Sequence, residues 1–253
     1  MIMSQLSGQE KSEYVRRLFD AIARRYDFMN DVMTFGLVGR WQRFSVSRLG
    51  LGPQARALDV CCGTAELAIL MKSVAGPMAR IWGLDFSQDM LSVADAKIAR
   101  LGLTNDIHLV CGNALDLPFP DNDFDGAISG FALRNVTDIP KVIGEMARVV
   151  KPGGKVVTLE MSKPMSPLLR AGHRFYLYRV VPVIGWLVGR RERIGGRQRA
   201  YTYLPHSLTR FVDRDELARI FQNAGLLDVH YQSLGLGAVT VHWGTKPQRG
   251  VTL

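Results

Sequence analysis

Between residues 56 and 160 two kinds of pattern alternate along the chain, and few folds accept that alternation. Residues 56–61, 80–85, 107–111, 124–130 and 155–160 are short, nearly continuous apolar runs, each followed by turn-forming residues. Runs of that length without a polar face read as strands buried on both sides. The stretches between them follow helical spacing. Residues 138–150 place Ile139, Val142, Ile143, Met146, Val149 and Val150 on one stripe and stop at Lys151-Pro152-Gly153-Gly154, punctuation that ends a helix. Ser87 can cap a helix through Met90, Leu91, Ala94, Ile98 and Leu101 that ends at Gly102. Strand and helix in turn imply a parallel sheet covered by helices. A last helix opens at Asp213, with Glu216 three residues on, and runs through Leu217, Ile220, Phe221 and Ala224 to Gly225. Two strand-like runs, 227–234 and 238–246, then flank Gly235-Leu236-Gly237 as a hairpin. The predicted fold class is α/β: a doubly wound, mostly parallel seven-stranded sheet, Rossmann-like, with a C-terminal antiparallel hairpin.

Two segments stand outside this alternation. Residues 10–25 show an amphipathic helix (Val15, Leu18, Phe19, Ile22) leading into YDFMNDVM at 26–33, so residues 1–45 are expected to form an N-terminal helical cap. Residues 164–210 are inserted between the fifth strand and the final helix and are expected to face substrate or membrane. With no internal repeat, one domain over residues 1–253 is expected. A chain 47% hydrophobic and 22% charged buries a large core, which argues against disorder. Three cysteines (Cys61, Cys62, Cys111) are too few for a secreted disulfide framework. The opening MIMSQLSGQEK has no basic stretch ahead of an apolar run, so a cytoplasmic location is expected. A net charge of +9 favours anionic partners: nucleic acid, a membrane surface or a phosphorylated substrate.

The first strand ends in Asp59 and runs through Cys61-Cys62-Gly63-Thr64-Ala65 into the next helix. In doubly wound folds that turn receives a nucleotide-like ligand, because small residues let the ligand approach the backbone. A zinc site would need further Cys or His ligands at suitable spacing; none is near, so no metal is expected. Only Gly63 of a G-x-G-x-x-G fingerprint is present, so no pyrophosphate cradle is expected either. Asp85, ending the second strand in GLDFS, suits two ribose hydroxyls, and Asn113-Ala114 after the third strand could meet a base edge. The candidate cofactor contacts are Asp59, Gly63, Thr64, Asp85, Asn113 and Ala114.

The order LDVCCGT, GLDFS, GNALDLPFPDNDFD, GFALRNV and ARVVKPGGKVVTLEMSKP resembles class I S-adenosylmethionine-dependent methyltransferases, and more narrowly the ubiquinone/menaquinone biosynthesis C-methyltransferase family. The stretch from Arg148 to Ser162 fits the family's second signature throughout. The first signature, beginning at Tyr26, departs from the usual pattern: Thr34 stands where the family usually has Ser, and Val38 where it has His. Tyr203-Leu204-Pro205-His206-Ser207 and Gly244-Thr245-Lys246-Pro247 also look like the family, whereas the arginine-rich 190–199 looks like an insertion. The resemblance implies S-adenosylmethionine as cofactor, a lipid-tailed quinol as substrate and ring C-methylation as the reaction. Cys-Cys in the ligand turn and Gly130 before Phe131 look more like menaquinone-pathway members, which points to demethylmenaquinol; a ubiquinone-pathway benzoquinol is the alternative. It also places Arg134 and Asn135, just after the fourth strand, in the reactive site; Tyr26 and Asn30 either contact substrate there or simply pack and cap, and Tyr26 is taken as a candidate catalytic residue. Arginine is too basic to act as an ordinary base, so Arg134 is expected to stabilise an oxyanion or orient a water, with Asn135 in the same network.

Residues 180–189, VVPVIGWLVG, are uncharged and precede Arg190, Arg191, Arg193, Arg197 and Arg199. Ten residues cannot span a bilayer, which needs about 20. An apolar patch beside arginines suits peripheral contact with an anionic membrane, at the inner face of a plasma membrane. A lid or a homodimer contact would give the same composition. Two other functions stay open on sequence alone. One is methylation of another small molecule or of RNA, although GFALRN stands where amino-directed nucleic-acid enzymes usually carry Asn/Asp-Pro-Pro-aromatic, so no nucleic-acid partner is expected. The other is a cofactor-binding scaffold without catalysis.

Overall fold

The computed structural model describes residues 8–188, 193–194, 198–199 and 211–248. Five parallel strands, β1 (Arg56–Val60), β2 (Arg80–Asp85), β3 (Ile107–Cys111), β4 (Phe124–Gly130) and β5 (Val150–Met161), are joined by β6 (Leu227–Leu234) and β7 (Val239–Thr245) in the order β3-β2-β1-β4-β5-β7-β6. β7 runs antiparallel between β5 and β6, so the predicted hairpin closes one edge. The strand order reverses between β1 and β4, and ligands of open α/β sheets dock beyond the strand C-termini at such a reversal.

One sheet face is covered by α3 (Val38–Leu49), α4 (Glu66–Ala75) and α5 (Gln88–Arg100), the other by α6 (Ile139–Val149) and α9 (Arg214–Asn223). The expected caps form: Ser87 Oγ accepts the Met90 N–H at 3.1 Å, and Asp213 Oδ1 accepts that of Glu216 at 2.8 Å. Asp138 does the same for α6, accepting the Lys141 N–H at 2.9 Å. At the N-terminus α1 (Gly8–Ile22) and α2 (Tyr26–Met33) pack over the strand ends, and α1 is tied down by Ser87 Oγ–H to Asp20 and Lys11 Nζ to the Val136 carbonyl. After β5 come α7 (Pro167–Phe175), a π-helical turn (Tyr176–Val180) and α8 (Val181–Val188).

YDFMNDVM is itself a helix, with Met29 buried beneath it. The structure departs from the sequence reading in two places. The third helix runs past residue 45 to Leu49, since Val46 and Leu49 belong to the sheet core. The fifth strand begins at Val150 and includes the Lys-Pro-Gly-Gly stretch. Val150 pairs with Phe124, the register then slips so that Lys155 faces Gly126, and Gly153 and Gly154 exchange backbone bonds of 2.8 Å with Lys246. A Cβ at Gly154 would stand 2.6 Å from the Asp125 carbonyl oxygen, so the slip requires glycine there. The run at 203–207, Gly189, and residues 190–192 and 195–197 of the arginine-rich stretch lie outside the described residues.

Candidate active site

A cleft lies over the C-terminal ends of β1 to β4. Its floor is the turn after β1, where Cys61, Gly63 and Ala65 all have left-handed backbone, with φ of 59°, 53° and 65°. A Cβ on Gly63 would meet nothing within 4 Å, so glycine answers the backbone conformation and leaves open room above the turn. Asp85, 5% exposed, forms one wall. Its Oδ2 accepts the Gly63 N–H at 2.8 Å and its Oδ1 the Ser87 N–H at 2.9 Å. Burial raises its pKa, and those N–H groups pull it back. Each oxygen keeps a second lone pair, so a pair of vicinal ribose hydroxyls can donate to the carboxylate. Asn113 and Ala114 line the same cleft, and Asn113 Oδ1 accepts the Leu115 N–H at 3.0 Å, which leaves its amide N–H groups as the donors for a base edge. Val15 and Phe19 of α1 supply an apolar roof. These residues fit S-adenosylmethionine.

Asp59 and Thr64, expected among the cofactor contacts, lie off the cleft wall. Asp59 sits beneath the turn, 1% exposed, where its Oδ2 accepts the Ala68 N–H at 3.0 Å and so anchors the start of α4. Thr64 turns away from the cleft because its hydroxyl donates to Asp27 Oδ1 of α2 at 2.5 Å. Asp27 Oδ2 receives Lys97 Nζ at 2.6 Å, and the same ammonium reaches Glu66 at 2.5 Å. Thr64 thus fastens the helical cap to the ligand turn. Of the two cysteines, Cys61 lines the cleft and Cys62 is packed below it, where a Cβ on Gly83 would stand 2.9 Å from its sulfur. Burial pushes both thiols well above their usual range, the state of inert, space-filling cysteines. Among the described residues no cluster of three or more His, Cys, Asp or Glu could hold a metal.

A second, largely apolar cavity adjoins the cleft. Tyr26 and Phe131 belong to both walls and form the partition. The cleft's exposed walls include Asn113 and Thr137, whereas those of the cavity include Phe35, Leu37 and Leu236, so the two open at different places. Thr34 and Val38, where the first signature departs from the family pattern, both line the apolar cavity. Phe131 is held at φ 58°, outside the comfortable region for an aromatic residue. This turn sends the next side chains apart: Arg134 faces the apolar cavity and Asn135 the cofactor cleft. They were expected in one network, and the structure assigns them to different cavities.

Beside Arg134 lies Glu160 of β5, 1% exposed, which received no role from the sequence. Its Oε1 accepts the Leu133 N–H at 2.7 Å, and Oε2 stands 3.8 Å from Arg134 Nη1. Its signal was a lone carboxylate in a strand apolar on both faces, VVTLEM at 156–161.

A sequence profile of the ubiE/COQ5 methyltransferase family matches residues 7–246. The chain belongs to that family. Two relatives named demethylmenaquinone methyltransferase, from Symbiobacterium thermophilum and Desulfitobacterium hafniense, are 42% and 40% identical to it over 247 residues. The alignments cover 96% and 98% of this chain and 97% and 95% of those proteins. Among solved structures, geranyl diphosphate C-methyltransferase from Streptomyces coelicolor, crystallised with S-adenosyl-L-homocysteine, has a TM-score of 0.61 at 16% identity, covering 83% of this chain and 79% of that one. A methyltransferase from Aquifex aeolicus gives 0.57 at 17% identity, covering 80% and 88%. At that identity the likeness speaks to the fold, which this ubiE/COQ5 member shares with them.

Proposed function

We propose that the chain transfers a methyl group from S-adenosylmethionine to a ring carbon of demethylmenaquinol. The observation that supports this most is the shared wall: a cleft suited to a nucleoside meets a large apolar cavity at Tyr26 and Phe131, and the cation lining that cavity is Arg134. When bound, S-adenosylmethionine supplies an electrophilic methyl group on sulfonium. Asp85 would hold the ribose hydroxyls and Asn113 the base edge, orienting the donor toward the partition. The apolar cavity holds the ring and its isoprenoid tail and excludes water, which strengthens every charge interaction inside it. Arg134 favours the ring oxyanion that raises electron density at the accepting carbon. Burial raises the pKa of Tyr26, while the nearby Arg134 charge and the Asn30 side chain lower it, leaving a protonated phenol as a donor to the ring oxygen.

Two assays test this. Turnover should require the quinol, because an oxidised quinone withdraws electrons from the accepting carbon; equal rates with oxidised and reduced substrate would defeat the mechanism. Arg134→Ala should lose about 100- to 1000-fold in turnover, the range for removing a preorganised oxyanion donor, with cofactor affinity near normal.

Peripheral membrane contact belongs to the same reading. Leu168, Leu169 and Phe175 of α7 are exposed beside Arg170 and Arg174, as are Phe35 and Leu236 at the cavity wall. No helix among the described residues is long and apolar enough to cross a membrane. Co-sedimentation with anionic but not neutral vesicles, lost in Leu168→Glu/Phe175→Glu, is the expected result. A monomer–dimer shift in the same variant would assign the patch to self-association instead.

A further inference from the structure

Glu160 makes two kinds of contact with the loop that carries Arg134 and Asn135. Through Oε1 it receives the Leu133 N–H at 2.7 Å, with the Ala132 N–H contributing to the same carboxyl. The neighbouring residue helps from the backbone: the Leu159 carbonyl accepts the Phe131 N–H at 2.6 Å. One short piece of β5 therefore fixes the left-handed turn at Phe131 and the point from which Arg134 departs. Through Oε2 it faces the guanidinium at 3.8 Å, beyond hydrogen-bond reach yet close enough for strong attraction between buried charges. Oε2, Arg134 Nε and Arg134 Nη1 are all buried, with no hydrogen-bond partner among the described residues. Polar atoms buried in that condition are costly unless something completes them. The guanidinium is thus held near its counter-charge with donors uncommitted, on the wall of the apolar cavity.

We infer that Glu160 is the positioning residue of the methyl-transfer site: it aims Arg134 and sets how much of the guanidinium charge a ring oxygen in the apolar cavity can draw on. The inference rests on the proposed oxyanion role of Arg134. A ring oxyanion and the Glu160 carboxylate compete for one cation, so ionised Glu160 opposes ionisation of the ring hydroxyl. Burial raises Glu160 to about 7 against the pull of Arg134 and the backbone N–H groups, which puts this competition at neutral pH. Arg134 is the charged group facing it. Thr240 lies opposite in register on β7 and is neutral, the Cys61 thiol within electrostatic reach is kept protonated by burial, and burial also keeps the Tyr26 phenol protonated against the nearby Arg134 charge.

The test is the pH dependence of kcat, with S-adenosylmethionine affinity and thermal melting as checks on the fold. Glu160→Gln keeps an oxygen for the Leu133 N–H and removes the charge. The rising limb of kcat should move to lower pH by about one unit, the smallest shift typical of a nearby charge, while cofactor affinity stays unchanged. Glu160→Asp keeps the charge but withdraws it from the loop; it should lower kcat more than tenfold without moving the limb to lower pH. A Glu160→Gln profile that superimposes on the unaltered enzyme, or a Glu160→Asp enzyme with full kcat, overturns the inference. Arg134→Ala separates the two levels. Full turnover in that variant removes the oxyanion role and the inference with it, whereas lost turnover with an unmoved Glu160→Gln profile removes the inference alone.

Discussion

Asp85 holds two backbone N–H groups and still faces the cleft, so its carboxylate braces the ligand turn and, on the proposed reading, would also contact the ligand. Both jobs can be measured separately. Asp85→Ala should weaken S-adenosylmethionine binding by about 1.5–3 kcal/mol, the range for hydrogen bonds to a charged group. Asp85→Asn, which keeps one acceptor oxygen for the turn, should recover part of the thermal stability but little of the affinity. Calorimetry of both variants decides it, and unchanged affinity in Asp85→Ala would remove this residue from the cofactor site. Asp85 was legible from sequence because strand ends in this fold class have a known relation to ligands. Asp59 and Thr64 belong to the same strand end and turn but bend under and away from the cleft. Their partners, Ala68 and Asp27, decide their direction, and a pattern of strand ends contains no information about a partner 37 positions away.

At the scale of elements, the cap depends on one small network. Asp27 of α2 joins Thr64 of the ligand turn to Lys97 of α5, and Tyr26, its neighbour on the same helix, is half of the partition between the cavities. Asp27→Ala strands a buried hydroxyl and leaves the Lys97 ammonium with Glu66 alone. A loss of about 1–3 kcal/mol is expected for the unsatisfied hydroxyl, with faster amide exchange across residues 26–33 and a raised KM for the quinol. Asp27→Asn keeps the Thr64 bond and should recover most of the exchange protection; identical exchange in all three proteins would show that the network does not hold α2. Strands and caps of the sheet were readable because burial on both faces and capping chemistry are local signals. The start of β5 was not, since Lys-Pro-Gly-Gly normally ends regular structure, and here pairing with Lys246 across the sheet keeps it extended. The divergence of Arg134 and Asn135 was hidden for a related reason: it follows from a left-handed Phe131, a conformation no sequence rule assigns to an aromatic residue.

For the whole molecule, burial on adjacent strands sets two titrations against each other. Glu160 is raised to about 7 from 4.5, and His242, whose Nε2 is 2.8 Å from the Arg214 carbonyl, is lowered to about 4 from 6.5. The raised carboxyl contributes stability that is full below pH 4.5 and lost as pH rises through 7, because the unfolded chain releases that proton first. The lowered imidazole behaves oppositely: the unfolded chain takes up a proton below 6.5 that the native state refuses until about 4, so stability is lost on acidification. His242→Gln should therefore be less sensitive to acid than its parent, the difference growing between pH 6.5 and 4 toward about 3 kcal/mol. Asp59 and Asp85 shift in the same sense as Glu160, so the comparison of variant with parent isolates the histidine. Urea midpoints across that window measure it, and parallel curves would contradict the assignment.

The separate openings of the cleft and the cavity bear on kinetics. On the proposed reading, spent cofactor would leave past Asn113 and Thr137, which line the cleft, and a methylated ring past Phe35 and Leu236, which line the cavity. Neither departure blocks the other, so the order of binding and release should be random. If the proposed membrane contact holds, the enzyme could reload its donor from solution and pass from one quinol to the next without leaving the surface. A quinol analogue should bind with no cofactor present, and the methylated product should inhibit competitively against the quinol; an obligatory cofactor-first sequence in initial-rate measurements would show that the partition of Tyr26 and Phe131 closes one door whenever the other is open.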